Sequence, residues 1–292
     1  MWIRWLAFFM MTFVAANVIG CGKKSSTSPS SADKSNGTQS VQNEPNGLTP
    51  TIFFQPQKLE EKEFEIAENV KMTFCRIPAG RSLLGSPVEE NGRSGNEVEH
   101  EFVTDGFWLG KFEVMQIEWE TIMGKNPSQN QGVKLPVERV SWEDCQLFLK
   151  KCKVQGHKVK LPHEDEWEYA CRGGKGNKQP FYWGSSLSGK EANCNTSYDP
   201  PYGTSEKSFT PGQTIAVGRY ENIVPHPWGL CDMSGNVEER CENLFSKNGT
   251  DRAVRGGCFA FGAVQCRSAF RYPSDTEGRG RVIGLRLMLK PQ

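Results

Sequence analysis

Apolar residues recur every three to four positions in three segments of the chain, a spacing typical of amphipathic helices. These segments are Gln116–Met123, Trp142 to about Lys153, and Glu164–Arg172. Ser141 precedes the second segment and Asp144 lies three residues further on, which resembles a capping box. Gly173 and Gly174 end the third segment. The pattern therefore predicts a small helical part.

Each predicted helix is expected to turn one face to the core. The positions on these faces are Ile117, Ile122 and Met123 in the first helix, Cys145, Phe148, Leu149 and Cys152 in the second, and Trp167, Ala170 and Cys171 in the third. Glu164, Asp165 and Glu166 occupy the first turn of the third helix, where the helix dipole favours acidic side chains.

Short apolar segments favour β-strands. They are Met72–Ile77, Phe102–Thr104, Phe107–Phe112, Ala253–Arg255 and Gly284–Leu289. Between Gly173 and Arg252 the chain is rich in Gly, Pro, Asn and Asp, which indicates loops. A loop region of this length requires bound cations, disulfide bridges or buried tryptophans to hold it.

Residues 1–20 are predicted to form a signal peptide, because Arg4 is followed by a short apolar run from Trp5 to Ile19. The sequence Val-Ile-Gly-Cys that ends at Cys21 resembles the lipobox of bacterial lipoproteins, whose cysteine is lipidated. We therefore expect an exported chain anchored to the cell membrane by lipid on Cys21, on the periplasmic or outer-membrane face. The alternative is an ordinary signal peptide with a chance cysteine.

The rest of the chain divides by composition. Residues 21–62 are mostly Ser, Thr, Asn, Gln, Lys and Pro, which predicts a disordered tether whose charged end before Phe64 is solvated. Residues 63–292 are richer in Trp, Phe and Gly and predict one domain. The net charge of +1 offers no basic field, so nucleic acid is not an expected partner.

The sequence contains ten cysteines, nine of them beyond Cys21. An exported chain can form disulfides, and an odd number leaves at least one thiol unpaired within the chain. No Cys or His spacing fits zinc. The scattered histidines, for which structural or surface roles are expected, are His100, His157, His163 and His226.

Several motifs occur in a fixed order along the chain. They read FWLGKFEV at 107–114, PVERVSW at 136–142, LPHEDEWEYA at 161–170, WGLCDMSGNVEE at 228–239, RGG at 255–257, RSAFR at 267–271 and IGLR at 283–286. In this order they resemble the formylglycine-generating enzyme family, also called the sulfatase-modifying factor family, from about Met72 onward.

The resemblance implies an α+β fold of the C-type-lectin-like kind, with long loops and little regular structure. It also implies calcium, which takes carboxylate, amide and backbone oxygens. The implied ligands of one ion are Asp232, Ser234, Gly235, Asn236 and Val237, partly through backbone carbonyls. Asn193 matches a ligand of a second ion. The alternative for this stretch is turn chemistry without metal.

Enzymes of the family oxidise a sulfatase cysteine to formylglycine with copper and oxygen, and two cysteines hold Cu(I). Counting from Gly257 puts Phe261 at the first copper position and Cys266 at the second, while Cys258 replaces an active-site serine. Anchoring instead on Arg267–Arg271 makes the segment shorter than in the enzymes, and the match of Cys266 disappears. The copper pair is therefore incomplete by position. Cys258 and Cys266 could replace it. The favoured alternative is a disulfide between them, or separate bridges to other cysteines.

Other positions also depart from the family pattern. The stretch after Asn236 usually carries two tryptophans, and the charged Glu238 and Glu239 are not expected to be buried in their place. His163 replaces the usual helix-capping threonine, at an expected cost of about 1 kcal/mol. Met115 replaces another common threonine.

Two functions follow from these observations. The first is a non-catalytic binding or structural lipoprotein of the cell envelope, with a protein or glycan ligand. The alternative is a formylglycine-generating oxidase, whose partner would be an exported sulfatase. The related iron-dependent sulfoxide synthases require a helical bundle and a histidine triad, for which the chain has neither the length nor the histidines.

Overall fold

The computed structural model describes residues 60–197 and 199–292. The predicted signal peptide and the lipidated Cys21 lie outside these residues. Within the described part, no helix combines the length and the apolar character needed to cross a membrane.

The described chain contains eleven short strands and three α-helices, with the helices in its middle part. The strands are β1 (Glu61–Ala67), β2 (Val70–Ile77), β3 (Gly80–Leu84), β4 (His100–Thr104), β5 (Phe107–Gly110), β6 (His157–Lys160), β7 (Glu238–Leu244), β8 (Arg252–Arg255), β9 (Arg271–Ser274), β10 (Ile283–Gly284) and β11 (Met288–Pro291). The helices are α1 (Gln116–Met123), α2 (Trp142–Lys151), α3 (Glu164–Arg172) and the 3-10 turn η1 (Ala263–Cys266).

The larger sheet has the strand order β1-β2-β5-β11-β6, with neighbouring strands antiparallel. Strand β11 lies in its interior, since Met288 is opposite Leu109 of β5 on one side and Lys160 of β6 on the other. Strand β1 includes Phe64 and Ile66, which are buried between exposed glutamates. This alternation is that of a strand with one face on the core. Glu61 and Lys62, predicted to end the disordered tether, therefore belong to the sheet.

Helices α1 and α2 pack with this sheet around one apolar core. The core contains Phe74, Phe148 and Leu289, and Trp119 stacks on Phe148 with ring centroids 4.9 Å apart. A second core joins α3 to the smaller sheet and is centred on the fully buried Trp167. The expected α+β class is therefore confirmed.

The smaller sheet has the order β10-β7-β8-β9, and charged side chains of β7 lie in the protein interior. Glu239 is fully buried, and its carboxylate accepts a 2.6 Å hydrogen bond from the Trp167 indole. Arg240 is also fully buried and donates to the Val140 carbonyl. The expectation that Glu238 and Glu239 are solvated is wrong, because hydrogen bonds and ion pairs compensate the burial of this strand.

The helix predictions are close, with corrections at the faces and ends. Helices α1 and α3 have the predicted bounds, but α2 ends at Lys151 because Cys152 has an extended backbone. On α1 the buried aromatic residue is Trp119, whereas Ile117 is 45% exposed. The predicted inward residues of α2 and α3 are buried.

The predicted strand Gly284–Leu289 is divided. Its first part pairs with β7 in the smaller sheet, and its last part belongs to β11 in the larger sheet. Arg286 lies between the two parts, and its side chain turns inward to the Glu239 carboxylate. The crossing between sheets explains why one apolar run forms two short strands.

The nine cysteines beyond Cys21 are buried free thiols in the structure. The Cys258–Cys266 disulfide expected to close the loop is therefore absent. His226 is the buried histidine, and its ring packs edge-on against Tyr182. Its Nε2 lies 3.1 Å from the Cys171 carbonyl, which is the structural role expected for it.

Candidate functional site

Residues 256–266 form a loop that folds back on itself. Gly256 and Gly257 both have positive φ, at 93° and 69°. A Cβ atom on Gly257 would lie 2.6 Å from the Gln265 oxygen and 2.9 Å from Cys266 Sγ. Glycine is thus required here by both conformation and space. This close approach brings the two candidate copper cysteines, Cys258 and Cys266, to the same side of the loop.

Both thiols are sealed from solvent, with no exposed surface on either residue. Burial raises the pKa of Cys258 to about 12. A hydrogen bond with Cys194, together with burial, raises the pKa of Cys266 well above its usual value. Both groups are therefore protonated at neutral pH, whereas Cu(I) binds thiolates.

Phe261 is the residue that the count from Gly257 assigns to the first copper position. It is 41% exposed, and hydrogen bonds fix its backbone on both sides. The Phe261 N–H donates to the Cys258 carbonyl at 3.3 Å, and the Phe261 carbonyl accepts from the Asn195 N–H at 2.7 Å. The position carries an apolar ring that offers no ligand to a metal.

The candidate calcium residues form a second group, built by a close backbone approach. Gly235 has φ 83°, and a Cβ atom there would lie 2.4 Å from the Asn193 oxygen. The Asn236 N–H donates to the same oxygen at 2.8 Å. Asp232 and Asn236 have left-handed backbones at φ 55° and 62°, which asparagine and aspartate tolerate better than most residues.

Amide side chains connect this group. Asn193 Nδ2 donates to Asn236 Oδ1 at 3.1 Å, and Asn236 Nδ2 donates to Glu113 Oε2 at 3.0 Å. Asn236 Oδ1 also accepts from the Ile215 N–H, so this amide is largely engaged in holding the loop. Asn193, Gly235, Asn236 and Glu113 are thus brought together by the fold.

Three buried carboxylates lie near one buried guanidinium. Arg286 binds Glu239 through two nitrogens, the shorter contact being 2.6 Å. Burial, and next the charge of Asp232, raise the pKa of Glu113 well above its usual range. Burial raises the pKa of Asp232 to about 6, although its carboxylate accepts from the Gly218 N–H. The cluster therefore has more acidic than basic groups.

Two oxygens near these carboxylates are candidates for a cation. Asn193 Oδ1 and Ser234 Oγ are buried without a hydrogen-bond partner in the part of the chain that the structure describes. Carboxylate, amide and hydroxyl oxygens are the donors that calcium prefers. The chemistry of the residues present thus fits a calcium ion, and the implied backbone ligands Gly235 and Val237 are buried in the same stretch of chain.

Over residues 60–197 and 199–292, no group of three or more His, Cys, Asp or Glu side chains is arranged to hold a metal. A cation at this loop would therefore depend on amide, hydroxyl and backbone oxygens beside the carboxylates. The sequence predicts no role at the calcium site for Glu113, Glu239 or Arg286. Each lies inside one of the motifs, but a motif does not show which distant residue a buried charged side chain contacts.

Comparisons with known proteins agree with this architecture. Residues 60–291 match the family described as the sulfatase-modifying factor enzyme 1-like domain. Treponema denticola variable protein 1 has a similar structure, with a TM-score of 0.62 and 21% identity over 79% of this chain and 99% of that one. The likeness confirms the expected fold, of the formylglycine-generating and C-type-lectin-like kind.

Curated relatives include proteins of different kinds. The chain is 26% identical to the chaperone protein LppX of Paenibacillus barcinonensis, over 62% of this chain and 79% of that protein. It is 29% identical to the formylglycine-generating enzyme of Mus musculus, over 62% of this chain and 50% of the enzyme. It is 31% identical to the inactive C-alpha-formylglycine-generating enzyme 2 of Mus musculus, over 47% of this chain and 42% of that protein. The chain spans about half the length of these two mouse proteins or less.

Proposed function

The chain belongs to the sulfatase-modifying factor family, and we propose that it acts as a non-catalytic binding or structural module of the cell envelope. The observation that carries this proposal is the state of the two candidate copper cysteines. Cys258 and Cys266 are fully buried, have raised pKa values and lie in a loop that presents Phe261 where the enzymes carry a copper ligand.

Copper-dependent oxidation requires thiolates that a metal and a substrate can both reach. In this loop the Cys266 thiol donates to the Gly262 carbonyl, with Sγ and oxygen 3.7 Å apart, and is hydrogen-bonded to Cys194. Exposing it would break these contacts and open the small apolar cluster around it. The energetic cost of that opening opposes a copper site formed by Cys258 and Cys266.

The relatives support either function. The relatives include formylglycine-generating enzymes, a protein named as an inactive formylglycine-generating enzyme, and a protein named as a chaperone. A chaperone acts by binding other proteins. A ligand of this chain would be a protein or a glycan, recognised by the loops between α3 and β7. A sulfatase is a partner only under the alternative, in which the oxidase chemistry is retained.

Calcium and a lipid anchor complete the proposal. The ion would be held by Asp232, Ser234 and Asn193 side chains with backbone oxygens of Gly235 and Val237, and would offset the excess carboxylate charge of Glu113 and Asp232. The anchor would be a lipid on Cys21, which follows from the lipobox resemblance alone. The protein would then be exported and held at the membrane surface.

A copper and turnover assay tests the proposal. The full chain, reduced and detergent-solubilised, is titrated with Cu(I) and incubated under oxygen with a sulfatase peptide that contains the target cysteine. We expect no formylglycine by mass spectrometry and no copper uptake that depends on Cys258 or Cys266. A known formylglycine-generating enzyme serves as the positive control.

Two variants make the result specific. Cys258→Ser removes a candidate ligand, and Cys145→Ser removes a buried thiol on α2, outside the loop. Peptide oxidation by the unmodified chain that is abolished in Cys258→Ser but retained in Cys145→Ser would establish the oxidase and refute the binding-module proposal.

A further inference from the structure

Cys194 and Cys266 belong to a small apolar cluster apart from the two main cores. The cluster also contains Phe181, Leu187 and Ala263. Both cysteines are fully buried, and the interaction with Cys194 is the largest influence on the pKa of Cys266. The two thiols are thus neighbours in a site that excludes water.

The backbone on both sides of this pair is fixed. The Asn195 N–H donates to the Phe261 carbonyl, and the Ser268 N–H donates to the Pro180 carbonyl, each at 2.7 Å. Residues 180–195 and 261–268 are therefore held together at these two points. A covalent link between Cys194 and Cys266 would join segments that are already neighbours.

Three of the other thiols donate to oxygens, as Cys266 itself does to the Gly262 carbonyl. Cys171 donates to the Ser268 hydroxyl at 3.4 Å, Cys231 to the Gly229 carbonyl and Cys241 to the Glu239 carbonyl. Cys194 has a larger influence than Cys258 on the pKa of Cys266. Within the described residues, the arrangement favours Cys194 over Cys258 as the sulfur that reacts with Cys266.

We propose that Cys194 and Cys266 form an intramolecular disulfide by exchange with a disulfide oxidant. One thiolate attacks the oxidant's sulfur–sulfur bond, which gives a mixed disulfide and expels one thiolate that takes up a proton. The second cysteine then displaces the remaining oxidant thiol. Two electrons pass to the oxidant, which leaves as two thiols, and the new bond shortens the sulfur contact to about 2.05 Å.

The bond would close a ring of chain from residue 194 to residue 266, which includes the candidate calcium loop at Gly235. Asn193, next to the linked cysteine, accepts the Asn236 N–H. The disulfide therefore fixes the loop region without requiring a metal. This inference does not depend on the proposed function, although the bond would also remove Cys266 from any copper site.

The test is a thiol map of the full chain. The protein is unfolded and refolded in a buffer of oxidised and reduced glutathione, because a buried pair is accessible to an oxidant only when the cluster opens. Remaining thiols are alkylated under denaturing conditions, and the chain is digested and analysed by mass spectrometry. We expect a linked peptide pair containing Cys194 and Cys266, with Cys258 alkylated.

Variants define the outcome. Cys258→Ser should retain the linked pair, whereas Cys194→Ser should leave Cys266 alkylated. A Cys258–Cys266 link, or alkylation of both Cys194 and Cys266 in the refolded wild-type chain, would overturn the proposal. If Cys194→Ser does not fold, the wild-type thiol map alone decides between these outcomes.

A second measurement uses trypsin on the refolded wild-type protein before and after reduction. Lys190 lies shortly before Cys194, and Lys207 lies within the ring that the bond would close. We expect cleavage at these lysines to accelerate several-fold on reduction, because the segment then opens without breaking a covalent link. An unchanged cleavage rate in a chain shown to carry the bond would refute its role in fixing this region.

Discussion

At the scale of single residues, buried arginines connect the loops. Arg267 is fully buried, and its guanidinium binds the carboxylates of Glu90 and Glu97 and the Gly92 carbonyl, at 2.6 to 2.8 Å. A buried charge of this kind is stable only when its hydrogen-bonding capacity is satisfied. Each such arginine therefore ties segments that are distant in sequence to one point.

Glu118 is a buried carboxyl without a cationic partner in the described contacts. Its Oε2 accepts from the Met115 N–H at 2.7 Å, and burial raises its pKa to about 8. In the unfolded chain a glutamate titrates near about 4.3. The neutral Glu118 carboxyl therefore contributes stability that is fully present below about pH 4.3 and is lost as the pH rises through about 8.

Glu118→Gln should therefore make the protein relatively more stable at alkaline pH. Glutamine keeps an oxygen acceptor for Met115 without a charge, and the gain is about 1.4 kcal/mol for each unit of pKa shift removed. Urea unfolding at pH 5, 7 and 9 measures the difference. The control is Glu120→Gln, at an exposed position of the same helix. Parallel stability curves for wild type and Glu118→Gln would contradict the prediction.

At the scale of secondary-structure elements, the caps of the helices differ from the sequence expectation. His163 Nδ1 accepts a 3.2 Å hydrogen bond from the Asp165 N–H, and Glu166 accepts from the His163 N–H. The expected loss of the cap at His163 is therefore wrong, because the imidazole Nδ1 accepts the hydrogen bond in place of a hydroxyl oxygen. Met115, at the corresponding position of α1, makes no side-chain capping bond.

His163→Ala should lower the free energy of unfolding by about 1 kcal/mol, because it removes a capping acceptor. Met115→Thr should raise it by a similar amount, since threonine can cap α1. Chemical denaturation at neutral pH measures both. No loss in His163→Ala would mean that the imidazole bond contributes nothing to α3.

The sequence predicted elements whose burial follows apolar periodicity and missed those that bury charge. The helix α3 was located because Trp167 and Ala170 repeat at helical spacing. Strand β7 was missed because its core-facing residues are Glu239 and Arg240, whose burial depends on partners distant in sequence. For the same reason the motifs located the candidate site, but not the Arg286–Glu239 pair inside it.

At the scale of the whole molecule, little regular structure occurs between α3 and β7, and close backbone contacts hold this region. The Asn193–Gly235 approach holds its middle against the segment before β7, and the Asn195–Phe261 hydrogen bond holds it against the loop after β8. The excess of buried carboxylate near Asp232 destabilises the region unless a cation or protons compensate. Calcium binding would thus be coupled to the stability of the entire domain.

Addition of calcium should raise the thermal unfolding midpoint, and chelation should lower it. At a free calcium concentration of about 100 times Kd the stabilisation is about 2.7 kcal/mol. Asp232→Asn should reduce the calcium-dependent shift, whereas Asp105→Asn, at an exposed position after β4, should retain it. Equal midpoints for wild type with calcium and with chelator would exclude a stabilising calcium site.

The interior position of β11 constrains how the domain can be made. Strands β5 and β6 each pair with β11, so the larger sheet cannot close until residues 288–291 have left the ribosome. Strand pairs whose members are this distant in sequence carry a large entropic cost of loop closure and form slowly. A nascent chain that has not emerged beyond residue 291 thus lacks the strand that completes the larger sheet, and β5 and β6 wait for it.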